Sequence, residues 1–116
     1  MPSVIIYHNP RCSTSRNTLT LIRESGIEPT IIEYLKHPLD KQGIKEILSK
    51  SGLSARELIR SKEKIFQTLQ LDAEGITEEQ LINAMVEYPV LMNRPIVVTD
   101  KGTRLCRPIE VVKEIL

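Results

Sequence analysis

Apolar positions along this chain fall into short blocks whose spacing switches between the periods of strand and helix. Residues 3–8 hold the β-branched run Val4-Ile5-Ile6 and read as a first strand. After Cys12 the apolar positions move to Leu19, Leu21 and Ile22, and Gly26 follows as a helix-ending glycine. Thr30-Ile31-Ile32-Glu33-Tyr34-Leu35 reads as strand two. Strand, helix and strand in so short a stretch predict a right-handed βαβ unit with parallel strands.

Pro38 breaks the chain and Asp40 suits a helix cap. Ile44, Ile47 and Leu48 share one helical face, and Gly52 ends the stretch. Ser54-Ala55-Arg56-Glu57 is a capping box with Leu53 and Leu58 as a hydrophobic staple, which predicts a short helix from Ser54 to Arg60. Another helix is expected over Lys62 to Leu69. Thr77-Glu78-Glu79-Gln80 is a second capping box, stapled by Ile76 and Leu81, and its helix ends before Pro89. Ile96-Val97-Val98 reads as strand three, Asp100-Lys101-Gly102 as a turn, and Thr103 to Cys106 as strand four of an antiparallel hairpin. Pro108 suits the first position of a last helix, with Ile109, Val112 and Ile115 or Leu116 facing inward.

The fold class is therefore α/β: β-α-β, a helical insert over residues 40–89, then β-β-α. Without the insert the order is that of a thioredoxin-like mixed four-stranded sheet. The insert reads as packed on the core, so residues 1–116 are expected to form a single domain.

Composition narrows the function classes. Hydrophobic content is 41%, which excludes a disordered chain. With three Tyr, one Phe and no Trp, the chain lacks stacking platforms for single-stranded nucleic acid. A net charge of +1 leaves no electrostatic footprint for a polyanion. Two cysteines do not make a secreted disulfide scaffold, and the first strand begins too early to leave room for a signal peptide. No apolar run is long enough for a membrane span. A reducing cytoplasm is the expected compartment.

Cys12 is the residue that points to chemistry. It follows strand one and opens the hydroxyl-rich stretch Ser13-Thr14-Ser15-Arg16. At such a turn, unpaired backbone N–H groups and the helix dipole favour thiolate over thiol and can also hold an oxyanion. Arg11 and Arg16 add positive charge, and His8, four residues upstream, can add more. A buried structural cysteine is a poor reading in so polar a setting. Dithiol oxidoreductases place a second cysteine three residues after the first; that position is Ser15, so an external thiol must complete any redox cycle.

Arg60 ends a short predicted helix, and Arg94 and Arg107 each precede a proline. Forked guanidinium donors suit tetrahedral oxyanions, although any one arginine at an element end can simply cap carbonyls. The assumed fold brings the three together near Cys12. It also puts Arg94-Pro95 where thioredoxin-like folds carry a cis-proline. Cys106 reads as a small residue packed on the sheet, with a resolving thiol as the less favoured role. His37 is assigned nothing, and no His, Cys and Asp spacing resembles a metal site.

Three segments together resemble the glutaredoxin-coupled arsenate reductases: Tyr7-His8-Asn9-Pro10-x-Cys12-x-x-Ser15-Arg16, Asn93-Arg94-Pro95-Ile96-Val97-Val98, and Gly102-Thr103-Arg104-Leu105-Cys106-Arg107-Pro108. The resemblance covers nearly the whole length and is to a short form without the charged tail of longer members. It implies a thioredoxin-like fold with a helical insert and a nucleophilic Cys12. It implies a pKa-lowering role for His8, an oxyanion site from Arg60, Arg94 and Arg107, and supporting roles for Asn9, Ser15, Arg16 and Pro95. It further implies arsenate as substrate, glutathione as co-substrate, glutaredoxin as partner, no tightly bound cofactor and a monomeric enzyme of arsenic resistance. Two other readings stand beside it. One is a glutathione-linked thiol oxidoreductase acting on another substrate. The other is a non-enzymatic, partner-binding regulator of the same fold, whose Cys-x-x-Cys switch Ser15 would remove.

Overall fold

The computed structural model describes residues 3–116. Four strands, β1 (Ile5–His8), β2 (Thr30–Glu33), β3 (Ile96–Thr99) and β4 (Gly102–Leu105), form one mixed sheet in the order β2-β1-β3-β4. β1 and β2 run parallel, whereas β3 is antiparallel to both β1 and β4. This is the thioredoxin-like arrangement expected from the element order. The chain divides into two compact units: one contains residues 3–37 and 94–116 with the whole sheet, the other spans Pro38–Asn93.

In the sheet unit, α1 (Ser13–Glu24) returns the chain from β1 to β2 and packs against the C-terminal segment. Period-two alternation in β1 turns Val4 and Ile6 to one face, where they meet Val97, Cys106, Leu19 and Ile22 of α1, and Val112 and Ile115. Ile6, Ile22, Val97, Cys106 and Val112 are fully buried. The helix stops where its sequence says: Gly26, at φ 87°, takes a left-handed conformation that a side chain would strain.

In the sheet unit, β4 runs one residue earlier than expected, over Gly102–Leu105, and other differences from the sequence reading have visible reasons. β2 ends at Glu33 rather than Leu35, because the N–H groups of Lys36 and His37 both turn back to the Glu33 carbonyl at 2.9 Å. The last helix is a 3-10 helix, Ile109–Glu114, not an α-helix. With three residues per turn, Val112 and Ile115 fall on one face and both enter the core. The buried Thr99 hydroxyl then ties the segment's end to the sheet through a 2.7 Å bond to the Ile115 carbonyl. Pro108 precedes that helix with an extended backbone instead of opening it. The Arg94–Pro95 peptide is cis, as expected, and Arg107–Pro108 is cis as well.

The second unit is helical: α2 (Lys41–Ser51), α3 (Ala55–Leu58), α4 (Lys64–Thr68), α5 (Glu78–Glu87) and a 3-10 turn over Pro89–Leu91. Its caps are those written in the sequence. Asp40 accepts from the Gly43 N–H at 2.8 Å, and both capping boxes, Ser54 with Glu57 and Thr77 with Gln80, are closed. α5 packs against α2 and α3, and Ile44, Leu58, Leu81 and Met85 are among its buried side chains. α3 stops at Leu58, short of the expected Arg60. Ile59 turns extended to form a bridge with Met92, and the Arg60 N–H bonds the Leu91 carbonyl at 2.7 Å. A tertiary pairing thus outcompetes the last helical turn. α4 is shorter than expected at both ends.

Candidate active site

The loop from His8 to Cys12 is folded on its own hydrogen bonds. Asn9 is buried; its carbonyl accepts from the Cys12 N–H at 3.0 Å and its side-chain oxygen from the Arg11 N–H at 3.0 Å. Arg16, one turn into α1, reaches back to the Pro10 carbonyl at 2.9 Å. Cys12 is the N-cap of α1, with extended backbone and its carbonyl bonded to the Arg16 N–H at 3.0 Å. Serine, threonine, asparagine or aspartate would ordinarily cap a helix here. A cysteine leaves the first N–H groups without an oxygen acceptor and puts sulphur before them.

Two arginines from the other end of the sheet unit complete the surroundings. The Arg107 Nη2 lies 3.4 Å from the Cys12 Sγ, and its Nε donates to the Arg94 carbonyl at 2.7 Å. The buried Arg94 side chain also donates to the sulphur. Pro95, next to Arg94, accepts the Cys106 N–H on its carbonyl at 3.0 Å, which locks this loop to β4. Partial burial pushes the Cys12 thiol up, but is outweighed by the Ser15 N–H, the Arg94 side chain, the Arg107 charge and the Thr14 N–H. The net pKa lies below the ordinary 9.0. The sulphur makes no regular cap hydrogen bond of the kind an oxygen would. The N–H groups of Thr14 and Ser15, at the start of α1, face the half-buried sulphur and favour its thiolate. Cys106 is the contrast: burial raises its pKa to about 12, and it packs in the core.

His8 is where the structure revises the expected electrostatics. Burial pushes its pKa below the ordinary 6.5; Glu33 pulls the other way, and the charges of Arg16 and Arg23 lower it further. The shift favours the neutral ring and so weakens the positive charge expected beside Cys12. The His8 Nδ1 sits 2.6 Å from the Ser15 Oγ, with the shared proton on one or the other according to tautomer. Ser15, fully buried, also accepts from the Asn9 N–H at 3.1 Å. Ser15 thus ties strand, loop and helix together, and its own N–H faces the sulphur.

Arg60 belongs to the helical unit, where it pairs with Glu63 at 3.3 Å and donates to the Asn93 side chain at 3.4 Å. Sequence reasoning missed Glu33 and Lys36. They follow β2, pair with each other at 3.7 Å, and line a cavity of about 370 Å³ beside Pro10 and Arg11. Strand register was the signal that could have found Glu33, since parallel pairing puts it opposite His8. Among the described residues, no group of three or more His, Cys, Asp or Glu side chains is arranged to hold a metal ion, and no helix is long and apolar enough to cross a membrane.

Residues 7–115 match the ArsC family. An arsenate reductase from Acidiphilium multivorum is 49% identical over 116 residues, covering 100% of this chain and 82% of that protein. The uncharacterized protein YfgD of Escherichia coli (strain K12) is 49% identical over 114 residues, covering 97% of this chain and 96% of its own. The structure of an arsenate reductase from Vibrio cholerae aligns over 98% of both chains with a TM-score of 0.94 and 42% identity. The matched span takes in the cysteine loop, the Arg94 loop and the Arg107 segment, and the chain belongs to the ArsC family.

Proposed function

We propose that this protein reduces arsenate to arsenite, with Cys12 as nucleophile and glutathione and glutaredoxin as the thiols that supply electrons. The observation that carries the reading is the Cys12 sulphur at an open helix end with Arg94 and Arg107 both directed at it. A thiolate attacking an anion faces like-charge repulsion. Two guanidinium groups beside the sulphur offset that repulsion and offer forked donors to a tetrahedral oxyanion. Arg60 enters the anion site on family resemblance alone.

In this mechanism the Cys12 thiolate attacks As(V), an As–O bond breaks, and the oxygen leaves with two protons as water. Glutathione then displaces a second oxygen as water, so arsenic is held between the two sulphurs. A glutaredoxin thiolate attacks the glutathione sulphur, forming a mixed disulfide, and the As–S bonding pair stays on arsenic, which becomes As(III). Water adds to arsenic, and arsenite and the Cys12 thiolate separate. In sum, arsenate and two thiols give arsenite, one disulfide and one net water. No resident redox cofactor is required. Ser15, in the position of a resolving cysteine and engaged with His8 and Asn9, supports the need for outside thiols.

The test is arsenate-dependent NADPH oxidation with glutathione, glutaredoxin and glutathione reductase. The expected result is turnover that requires all three and disappears in Cys12→Ser. Glutathione-linked turnover of a mixed disulfide, with none of arsenate, would move the assignment to the thiol oxidoreductase reading.

A further inference from the structure

The cavity beside the cysteine loop is lined by none of Cys12, Arg94 and Arg107. It opens at the ends of β1 and β2, bounded by His8, Asn9, Pro10, Arg11, Glu33, Leu35 and Lys36. Its volume, about 370 Å³, is within the range of small-molecule pockets, ~300–1,000 Å³. Its charges are mixed: the exposed Arg11 and Lys36 are cationic, and the half-buried Glu33 is acidic. Leu35, 44% exposed, and Pro10 supply an apolar wall. Arg11 immediately precedes Cys12 in the chain, and His8, which lines the cavity, is bonded to Ser15 in the first turn of α1.

We propose that this cavity is the glutathione subsite, with Arg11 and Lys36 holding the tripeptide's two carboxylates and Glu33 its ammonium group. Glutathione carries two carboxylates and one ammonium, and the cavity offers two cations and one carboxylate. The ion pair between Lys36 and Glu33 is loose at 3.7 Å and solvent-exposed, so exchanging it for ligand charges loses little. The inference rests on the glutathione-dependent reading above and assigns the thiol its own place, apart from Arg94 and Arg107. Thiol and arsenate would then occupy different groups of cations, and their affinities would be separable by mutation.

The test compares the full-length protein with Arg11→Ala, Lys36→Ala and the double variant, varying glutathione at saturating arsenate and glutaredoxin. Each single change should raise the KM for glutathione about three- to tenfold, the loss of a partly exposed charge-assisted contact. The KM for arsenate should stay within twofold. Cysteamine, a thiol without carboxylates, should serve the parent and Lys36→Ala equally. A glutathione KM unchanged in the double variant would overturn the proposal, as would an arsenate KM that rises in step with it. If the parent protein shows no glutathione-dependent turnover, the functional reading has failed, and the cavity is judged by binding. Titration with S-methylglutathione, followed by backbone amide NMR shifts, should perturb Arg11, Glu33 and Lys36 in the parent and saturate at higher concentration in the double variant. No shifts at these residues would dismiss the subsite by itself.

Discussion

Two cysteines in one small chain differ in everything but their atoms. Cys12 sits at a helix end among N–H groups and two guanidiniums, and its pKa is lowered from 9.0; Cys106 is buried and raised to about 12. Iodoacetamide should therefore modify Cys12 with a midpoint below pH 9.0 and leave Cys106 untouched in the folded protein, as peptide mass mapping across pH will read. Arg107→Ala removes a cation 3.4 Å from the sulphur and should move that midpoint upward. An unmoved midpoint would argue that the helix end alone sets the thiolate. In turnover, Arg94→Ala should lower kcat/KM for arsenate on the order of ten- to a hundredfold, with Arg94→Lys recovering only part because it loses the fork. Arg23→Ala is the control: Arg23 is held by both oxygens of Glu28, at 3.0 and 2.9 Å, near the opposite end of α1. His8 makes a separate prediction about pH. Its folded pKa is depressed below 6.5, so between the two values the unfolded chain binds a proton that the folded one does not. The neutral ring's contribution is whole above pH 6.5 and is lost as pH falls through the folded value. Urea midpoints measured from pH 8 to 5 should decline more steeply for the parent than for His8→Gln.

Helix ends carry much of the information in the second unit. α2 has a side-chain cap at Asp40 and a left-handed stop at Gly52, φ 75°. Asp40→Ala should lower stability by about 1 kcal/mol through the lost cap. Gly52→Ala should cost roughly 1–2 kcal/mol, since alanine is disfavoured in that conformation. The two sites lie at opposite ends of the helix, so the double variant should show the sum in urea denaturation. These caps were legible because they are local: Asp40, Ser54 with Glu57, and Thr77 with Gln80 bond groups within three residues. α3 was over-extended by the sequence reading because its last turn is contested by a residue far along the chain, Met92. The C-terminal helix was misread for a related reason. Proline and apolar spacing announce a helix, but only the demand for Val112 and Ile115 in one core selects three residues per turn.

The sheet unit joins segments from both ends of the chain, so ligand binding there should be felt by the fold as a whole. On the proposed function, arsenate would bind at Arg94 and Arg107 and so stabilise only the folded state. At about a hundred times its Kd it should add ~2.7 kcal/mol, a thermal shift of several degrees. Arg94→Ala should abolish the shift at the same arsenate concentration, while Arg23→Ala keeps it. A shift that survives Arg94→Ala would place the anion elsewhere.

Apolar periodicity and capping residues by themselves determined the α/β class, the strand order along the chain and most helix starts. Each of these depends on neighbours within a turn or a pleat. The family was legible because its three motifs are written in the sequence with its cysteine, arginines and prolines in order. What only tertiary structure decided is how those residues act. His8 reads as a nearby cation in the sequence; burial lowers its pKa and its ring bonds Ser15. Arg94 and Arg107 were two arginines before prolines; the β3–β4 hairpin carries both to a cysteine more than eighty residues upstream of either. Glu33 was an end residue of a strand until parallel register put it opposite His8. Charge state and proximity depend on solvent exclusion and long-range pairing, and neither is a property of residues adjacent in sequence.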